Sequence, residues 1–377
     1  MKLKLLHILL FIGQTLFAQH KLPVIKASST IVAVRDDGTL DKNAWTINLE
    51  LKPDIYTTPN KNKKVTFITD LDSISFTVKP NERYNFIILL NNKDSAYTQI
   101  AYLPSNKETL KNAGKYNLNE KNDLPKFTYQ SPDNPHLAAL RKAFNLDSAA
   151  GTGNEVSQIL NVLHWIHNLV PHDGEHGNPE VKNAVNMIAV CKKDNRGLNC
   201  RGLATVLNEC YLSLGIKSRF ITCLPKDSLQ SDNDCHVINT VYSSELKKWL
   251  WIDPTFDAYV MNEKGELLSI EEVRERIIKD EPLIINPDAN WNRKTSETID
   301  HYLYNYMTKN LYLFECPMSS EYDSETSEAG KKITYLRLVP LDYFVKSIDK
   351  TNRTDEKSKT EFIIYKTNNP NMFWQTP

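Results

Sequence analysis

The stretch that decides the fold is Gly197-Leu198-Asn199-Cys200-Arg201. Beyond it, Leu203, Val206, Leu207, Cys210, Tyr211 and Leu214 recur at helical spacing, and Gly215 then supplies a left-handed stop. The pattern predicts a largely apolar helix with Asn199 or Cys200 in the cap position. Free N–H groups and the positive end of the helix dipole converge at such a start, so a thiolate is stabilised there and an oxyanion can be held. Cys200 alone among the six cysteines has this setting; Cys210 falls mid-helix on the apolar stripe, as packing.

Working outward, residues 218–223 read as a strand and 224–234 as a polar loop. Residues 235–242 and 249–254 follow as two more strands. With residues 243–246 as a four-residue hairpin loop, Tyr242 pairs with Lys247, and the same register sets His236 directly opposite Asp253. Opposed Cβ atoms on one sheet face lie about 4.5–5.5 Å apart, within imidazole–carboxylate hydrogen-bonding reach. Asn239 projects from the other face. The chemistry that fits is a Cys200 nucleophile, a His236 base and an Asp253 that orients the ring and stabilises its cation.

The runs GLNCRGLATVLNECYLSLGIKSRF (197–220), DCHVINTVY (234–242) and WLWIDPT (249–255) resemble the core of the transglutaminase-like superfamily. The resemblance covers roughly residues 154–259. It implies a papain-related α+β fold, with a cysteine on a helix and a histidine and an aspartate on adjacent strands. Carried over, Cys200, His236 and Asp253 fall on the triad positions. Two positions depart from the pattern. Ile238 stands where many members carry Trp, and no residue is matched to the upstream oxyanion-stabilising side chain, Trp165 being left unassigned. The N-terminal β region and the tail are also similar to those of exported proteins found in Bacteroidetes.

The rest of the chain frames this core. Its 377 residues carry 46 basic and 46 acidic side chains, with 41% hydrophobic residues, 12 glycines and 18 prolines. This composition excludes collagenous, low-complexity and largely disordered chains. Zero net charge without a Lys/Arg-rich block argues against nucleic-acid binding. Lys2 and Lys4 precede an apolar run over 5–17, and Ala18 follows; this reads as a signal peptide over 1–19. The mature protein is then expected to be periplasmic or extracellular, with no transmembrane segment.

Residues 20–125 read as an accessory antiparallel β-sandwich, with alternation at Ile74, Phe76 and Val78, at Val65 and Phe67, and over 45–51. The transglutaminase-like part then runs over 126–377, with a polar, proline-bearing boundary at 119–134. Asn154 caps a helix whose stripe holds Ile159, Leu160, Leu163, Ile166 and Val170, with His167 in it and Trp165 opposite. Four histidines (His164, His167, His172, His176) raise a metal site, but their spacing matches no zinc signature, so His167 is read as a core histidine and the others as loop residues. No acidic cluster argues for calcium, and no cofactor or metal is expected.

Cys223 and Cys235 flank the 224–234 loop and are read as unpaired thiols rather than a bridge; the loop itself would border the cleft. Ser269 and Glu272 form a capping box ahead of a helix to about residue 278. Another helix is expected over 298–307, with late strands at 333–339 and 361–365 around a solvated loop at 349–359. These readings favour an exported cysteine-dependent acyl-transfer enzyme acting on peptide or amide bonds, including cell-wall peptide, and hydrolytic rather than crosslinking. The rival is a catalytically silent module that binds peptide or glycan.

Overall fold

The computed structural model describes residues 21–121, 123–226, 235–342 and 345–377, so the segment read as a signal peptide lies outside it. The chain divides into two compact units, one ending at Ser105 and the other running from Asn106 to Pro377. The sequence expectation had placed this division later, after residue 125.

The first unit contains eight strands: β1 (Val24–Ala27), β2 (Ile31–Asp36), β3 (Thr39–Thr46), β4 (Asp54–Thr58), β5 (Lys63–Ile68), β6 (Ser73–Val78), β7 (Arg83–Leu90) and β8 (Asp94–Tyr102). They form two four-stranded sheets, ordered β1-β7-β8-β4 and β3-β2-β5-β6. Alternate residues of both sheets, among them Val32, Val34, Val65, Phe67, Phe86, Ile88 and Ile100, share one buried core. Phe67 is its centre, edge-on to Trp45, Tyr56 and Phe86. The sandwich is not wholly antiparallel, because β1 pairs with β7 and β4 with β8 in parallel. The strand expected over 45–51 ends at Thr46; Asn48 accepts from Glu50 N in an Asx turn that leads the chain out of the sheet.

The second unit opens with α1 (Asn106–Lys111) and a short strand β9 (Thr128–Tyr129). Five helices follow: α2 (Pro135–Ala143), α3 (Leu146–Ala150), α4 (Glu155–Leu169), α5 (Ala184–Asp194) and α6 (Cys200–Ser213). Next come β10 (Ser218–Leu224), β11 (His236–Ser243), β12 (Lys248–Ile252) and α7 (Ile270–Lys279). A seven-stranded sheet runs in the order β12, β11, β10, Leu313–Pro317, Lys332–Leu338, Glu361–Thr367 and Lys350–Thr354. Only the Lys332–Leu338 and Glu361–Thr367 strands pair in parallel within it.

Two cores flank this sheet. On one face α4, α5 and α6 pack Leu163, Met187, Val206 and Tyr211 against Val241 and Leu250. On the other, Ile221, Ile238 and Trp251 meet Ile270, Tyr302 and Phe314. The segment expected as a solvated loop at 349–359 contains instead the exposed edge strand Lys350–Thr354, whose charges suit an unpaired edge. The helix expected over 298–307 is present, but Asp300–Met307 is wound as a π-helix.

The start of α6 is fixed by side chains. Asn199 is the N-cap, its carboxamide accepting from Gly202 N at 3.1 Å, and the Asn178 side chain holds it, donating to Asn199 Oδ1 and accepting from Asn199 N. Arg201 ties the first turn to the sheet, donating to Thr222 Oγ1 and to the buried Glu325 carboxylate. A Cβ on Gly202 would lie 2.5–2.9 Å from the Asn178 side chain. Helix propensity alone would make Gly202→Ala stabilising by about 1 kcal/mol. The clash reverses that sign: the variant is expected to lose about 1–3 kcal/mol in chemical denaturation.

Candidate active site

His236 opens β11 and is 1% exposed; Asp253 follows β12 and is fully buried. The register between these strands differs from the expectation by two residues. Tyr242 pairs with Trp249, not Lys247, and the turn occupies 244–247 with Lys247 at positive φ. The cause lies far away in sequence. Glu155, in the first turn of α4, accepts from Ser243 Oγ, Ser244 Oγ and Glu245 N, which keeps Ser243 in the strand. A slip of two preserves which face each side chain occupies. His236 therefore reaches Asp253 along a diagonal rather than straight across: His236 Nε2 lies 2.8 Å from Asp253 Oδ2.

Asp253 is well provided with donors. Besides the imidazole, Tyr302 Oη donates to Oδ2 at 2.7 Å and Thr255 N to Oδ1 at 2.9 Å. Tyr302 in turn accepts from Trp251 Nε1 at 2.9 Å. Tyr302 was not read from sequence as part of the site; it comes from the π-helix, whose Tyr306 also sets its ring edge-on to His236, as does Phe256. Asn239 faces away, donating to Ala204 O on α6.

Cys200 is the first residue of α6 and keeps partial solvent access. Burial pushes the Cys200 thiol pKa up, but the neighbouring side chains of His172 and His236, the His236 charge and the Val237 N–H outweigh it and bring the pKa down to about 6. For His236, burial favours the neutral ring, yet Asp253 and Cys200 together raise its pKa to about 10. Each group thus favours the charged form of the other, a thiolate beside an imidazolium. Burial raises the pKa of Cys191, Cys210, Cys223 and Cys316.

The histidines diverge. His167 is a buried core residue bonded to Pro254 O and Asn290 Oδ1, His164 meets Asp257, and His176 meets Asp173. His172, expected as a loop residue, is instead at the sulfur. Its backbone is clamped by Asn292, its ring packs on Trp291, and a bridge joins it to Leu198. Gly197 permits this, since a Cβ there would lie 2.2 Å from Pro171 O. Among the described residues, no group of three or more His, Cys, Asp or Glu could hold a metal ion. Cys223 and Cys235 are not joined in a disulfide, and the loop expected to border the cleft falls mostly at 227–234, outside the described residues.

Residues 142–254 match the Transglutaminase-like superfamily. This segment is thus similar to a transglutaminase-like core. It contains Cys200, His236 and Asp253. Solved structures with detectable similarity include a candidate cysteine protease from Cytophaga hutchinsonii, 18% identical over 40% of this chain and 46% of that one, with a TM-score of 0.25. The chain thus spans about half the length of that protein. LapG of Legionella pneumophila is 12% identical over 48% of this chain and 97% of its own, at a TM-score of 0.26. Red sea bream transglutaminase is 11% identical over 56% and 40%, at 0.23. No curated protein matches the sequence significantly.

The electrostatics of the transglutaminase-like core give a pH test. Alkylation of Cys200 by iodoacetamide is expected to be half-maximal near pH 6 and then nearly flat to pH 8, where an ordinary thiol is still gaining reactivity. A rate that keeps rising tenfold per pH unit through that range would show that no low-pKa thiolate exists.

Proposed function

We propose that this protein is an exported cysteine-dependent acyl-transfer enzyme that cleaves peptide or other amide bonds through a thioester on Cys200. The observation that supports the reading is a sulfur whose surroundings lower its pKa to about 6, beside a His236 that is hydrogen-bonded to a buried carboxylate. Export rests on the leader-like residues 1–19. Among the described residues no helix is long and apolar enough to cross a membrane.

In the proposed reaction the Cys200 thiolate attacks the carbonyl carbon, and the carbonyl π electrons move onto oxygen. His172, beside the sulfur, and free N–H groups at the start of α6 are the donors available to that oxyanion. As the carbonyl re-forms, the C–N bond breaks and the His236 imidazolium gives its proton to the leaving amine. Water then attacks the thioester while His236 takes its proton, and the C–S bond breaks to restore the thiolate and release an acid. Water is the expected acceptor because residue Cys200 is only partly buried; an amine acceptor would need a site that keeps water away.

The test is hydrolysis of an unfolded protein such as reduced casein, followed by mass spectrometry, with a fluorescent amine present to report transfer. Cleavage is expected, with little amine incorporation. Cys200→Ala should abolish it, and His236→Ala or Asp253→Asn should lower it by roughly 10²–10⁴-fold. Amine incorporation in place of cleavage would make the enzyme a crosslinking transferase. Absence of both, together with a Cys200 no more reactive than a denatured cysteine, would leave a peptide- or glycan-binding module.

A further inference from the structure

Net charge says nothing about substrate here, because the acids and bases of the chain balance. Their distribution beside Cys200 does. A cavity of about 420 Å³ lies between the segment after α4 and the end of α5, with Asn292 and Lys294 on its rim. His172, a neighbour that lowers the Cys200 thiol pKa and is bridged to Leu198 two residues before it, is one of its walls, and Gly197, three residues before Cys200, is another. The space therefore adjoins the place where the acyl group would sit.

Three cations, Lys192, Arg196 and Lys294, line this cavity against a single acid, Asp173. That acid is already engaged: its carboxylate accepts from Gly197 N, Glu175 N and His176 N, and meets the His176 ring. Arg196 donates to the backbone carbonyls of Gly177 and Gly197, which leave its charge uncompensated. Among the described residues neither Lys192 nor Lys294 is paired with a carboxylate; other lysines of this unit are, such as Lys111 with Asp280 and Lys366 with Asp349. Cations gathered at one wall of a partly enclosed space focus a positive potential into it.

We propose that this cavity is the subsite for a carboxylate of the substrate, either an acidic side chain or a free terminal carboxylate near the scissile amide, so that acidic peptides are preferred. The inference rests on Cys200 being the nucleophile. The carboxylate would sit among the two lysines and Arg196 and bring the adjoining carbonyl to the sulfur.

The test uses two alkylating reagents of equal size that differ by one charge, N-iodoacetyl-glutamic acid α-amide and N-iodoacetyl-glutamine α-amide. Rates of Cys200 modification are followed by peptide mass mapping in the wild type and in Lys192→Glu/Lys294→Glu. The readout is the ratio of the two rates, in which any change in the sulfur's own reactivity cancels. In the wild type the anionic reagent should be roughly fivefold faster or more, the excess shrinking in high salt, and in the double variant the ratio should fall below one. A neutral reagent that modifies Cys200 faster than it modifies glutathione, with a ratio near one or unchanged in the variant, overturns the subsite and leaves the nucleophile standing. If neither reagent outpaces its reaction with glutathione, the nucleophile reading fails and the subsite falls with it.

Discussion

The buried Asp253 carboxylate is the constraint on which the site depends. A charge fully removed from water is tolerated only when donors replace its hydration. Here three do so: the His236 ring, the Tyr302 hydroxyl and the Thr255 N–H. Each donor is delivered by a different piece of structure. His236 comes from the start of β11, Tyr302 from the π-helix, and Thr255 from the turn that follows β12. Asp253 takes Nε2 of the imidazole, which fixes the orientation of the ring and leaves Nδ1 for another partner. Phe256 and Tyr306 close on the ring and keep the pair dry, which strengthens the attraction between imidazolium and carboxylate.

Close approach does the rest. Two segments remote from α6 in sequence are brought to its first turn at positions that a side chain would block. Gly197 lets the chain around Pro171 come against the strand-like approach to α6, which delivers His172. Gly202 lets Asn178 reach the cap residue Asn199. The sulfur thus stands at a helix end whose capping is secured by side-chain amides rather than by a charged cap that would repel a thiolate.

What could be read from the sequence follows the range of the interactions. The helix at Cys200, its stop at Gly215, the hairpin strands and the Ser269–Glu272 capping box are set by neighbours a few residues apart, and they are where the pattern put them. Helix α5 was legible too, in the spacing of Ala184, Met187, Ile188 and Cys191, but those residues had not been read as a helix. The hairpin register was not legible, because Glu155 decides it from about ninety residues away. Nor was Tyr302, since one tyrosine in an amphipathic stretch of a tyrosine-rich chain carries no mark of an Asp partner. His172 is visible as one of four clustered histidines, but what distinguishes it is long-range: the Asn292 clamp, the Trp291 ring and the bridge to Leu198. The parity of the strands is the same in both registers, so His236 and Asp253 meet, along a diagonal and not straight across.

The high pKa of His236 raises a question for the proposed reaction, because a general acid near 10 holds its proton tightly at neutral pH. The answer lies in what holds the proton there. Burial opposes the charge, and both Asp253 and Cys200 support it, the latter through a hydrogen bond and through its negative charge. Acylation converts the thiolate to a neutral thioester, so the Cys200 part of that support disappears while the burial penalty stays. The imidazolium becomes more acidic as the leaving amine comes to need its proton. Once the amine has left, the neutral ring, still oriented by Asp253, can accept a proton from water, and restoring the thiolate raises the ring's affinity again. In the proposed reaction the change in sulfur charge would thus switch one histidine between acid and base, with the buried carboxylate keeping the ring in place through both states.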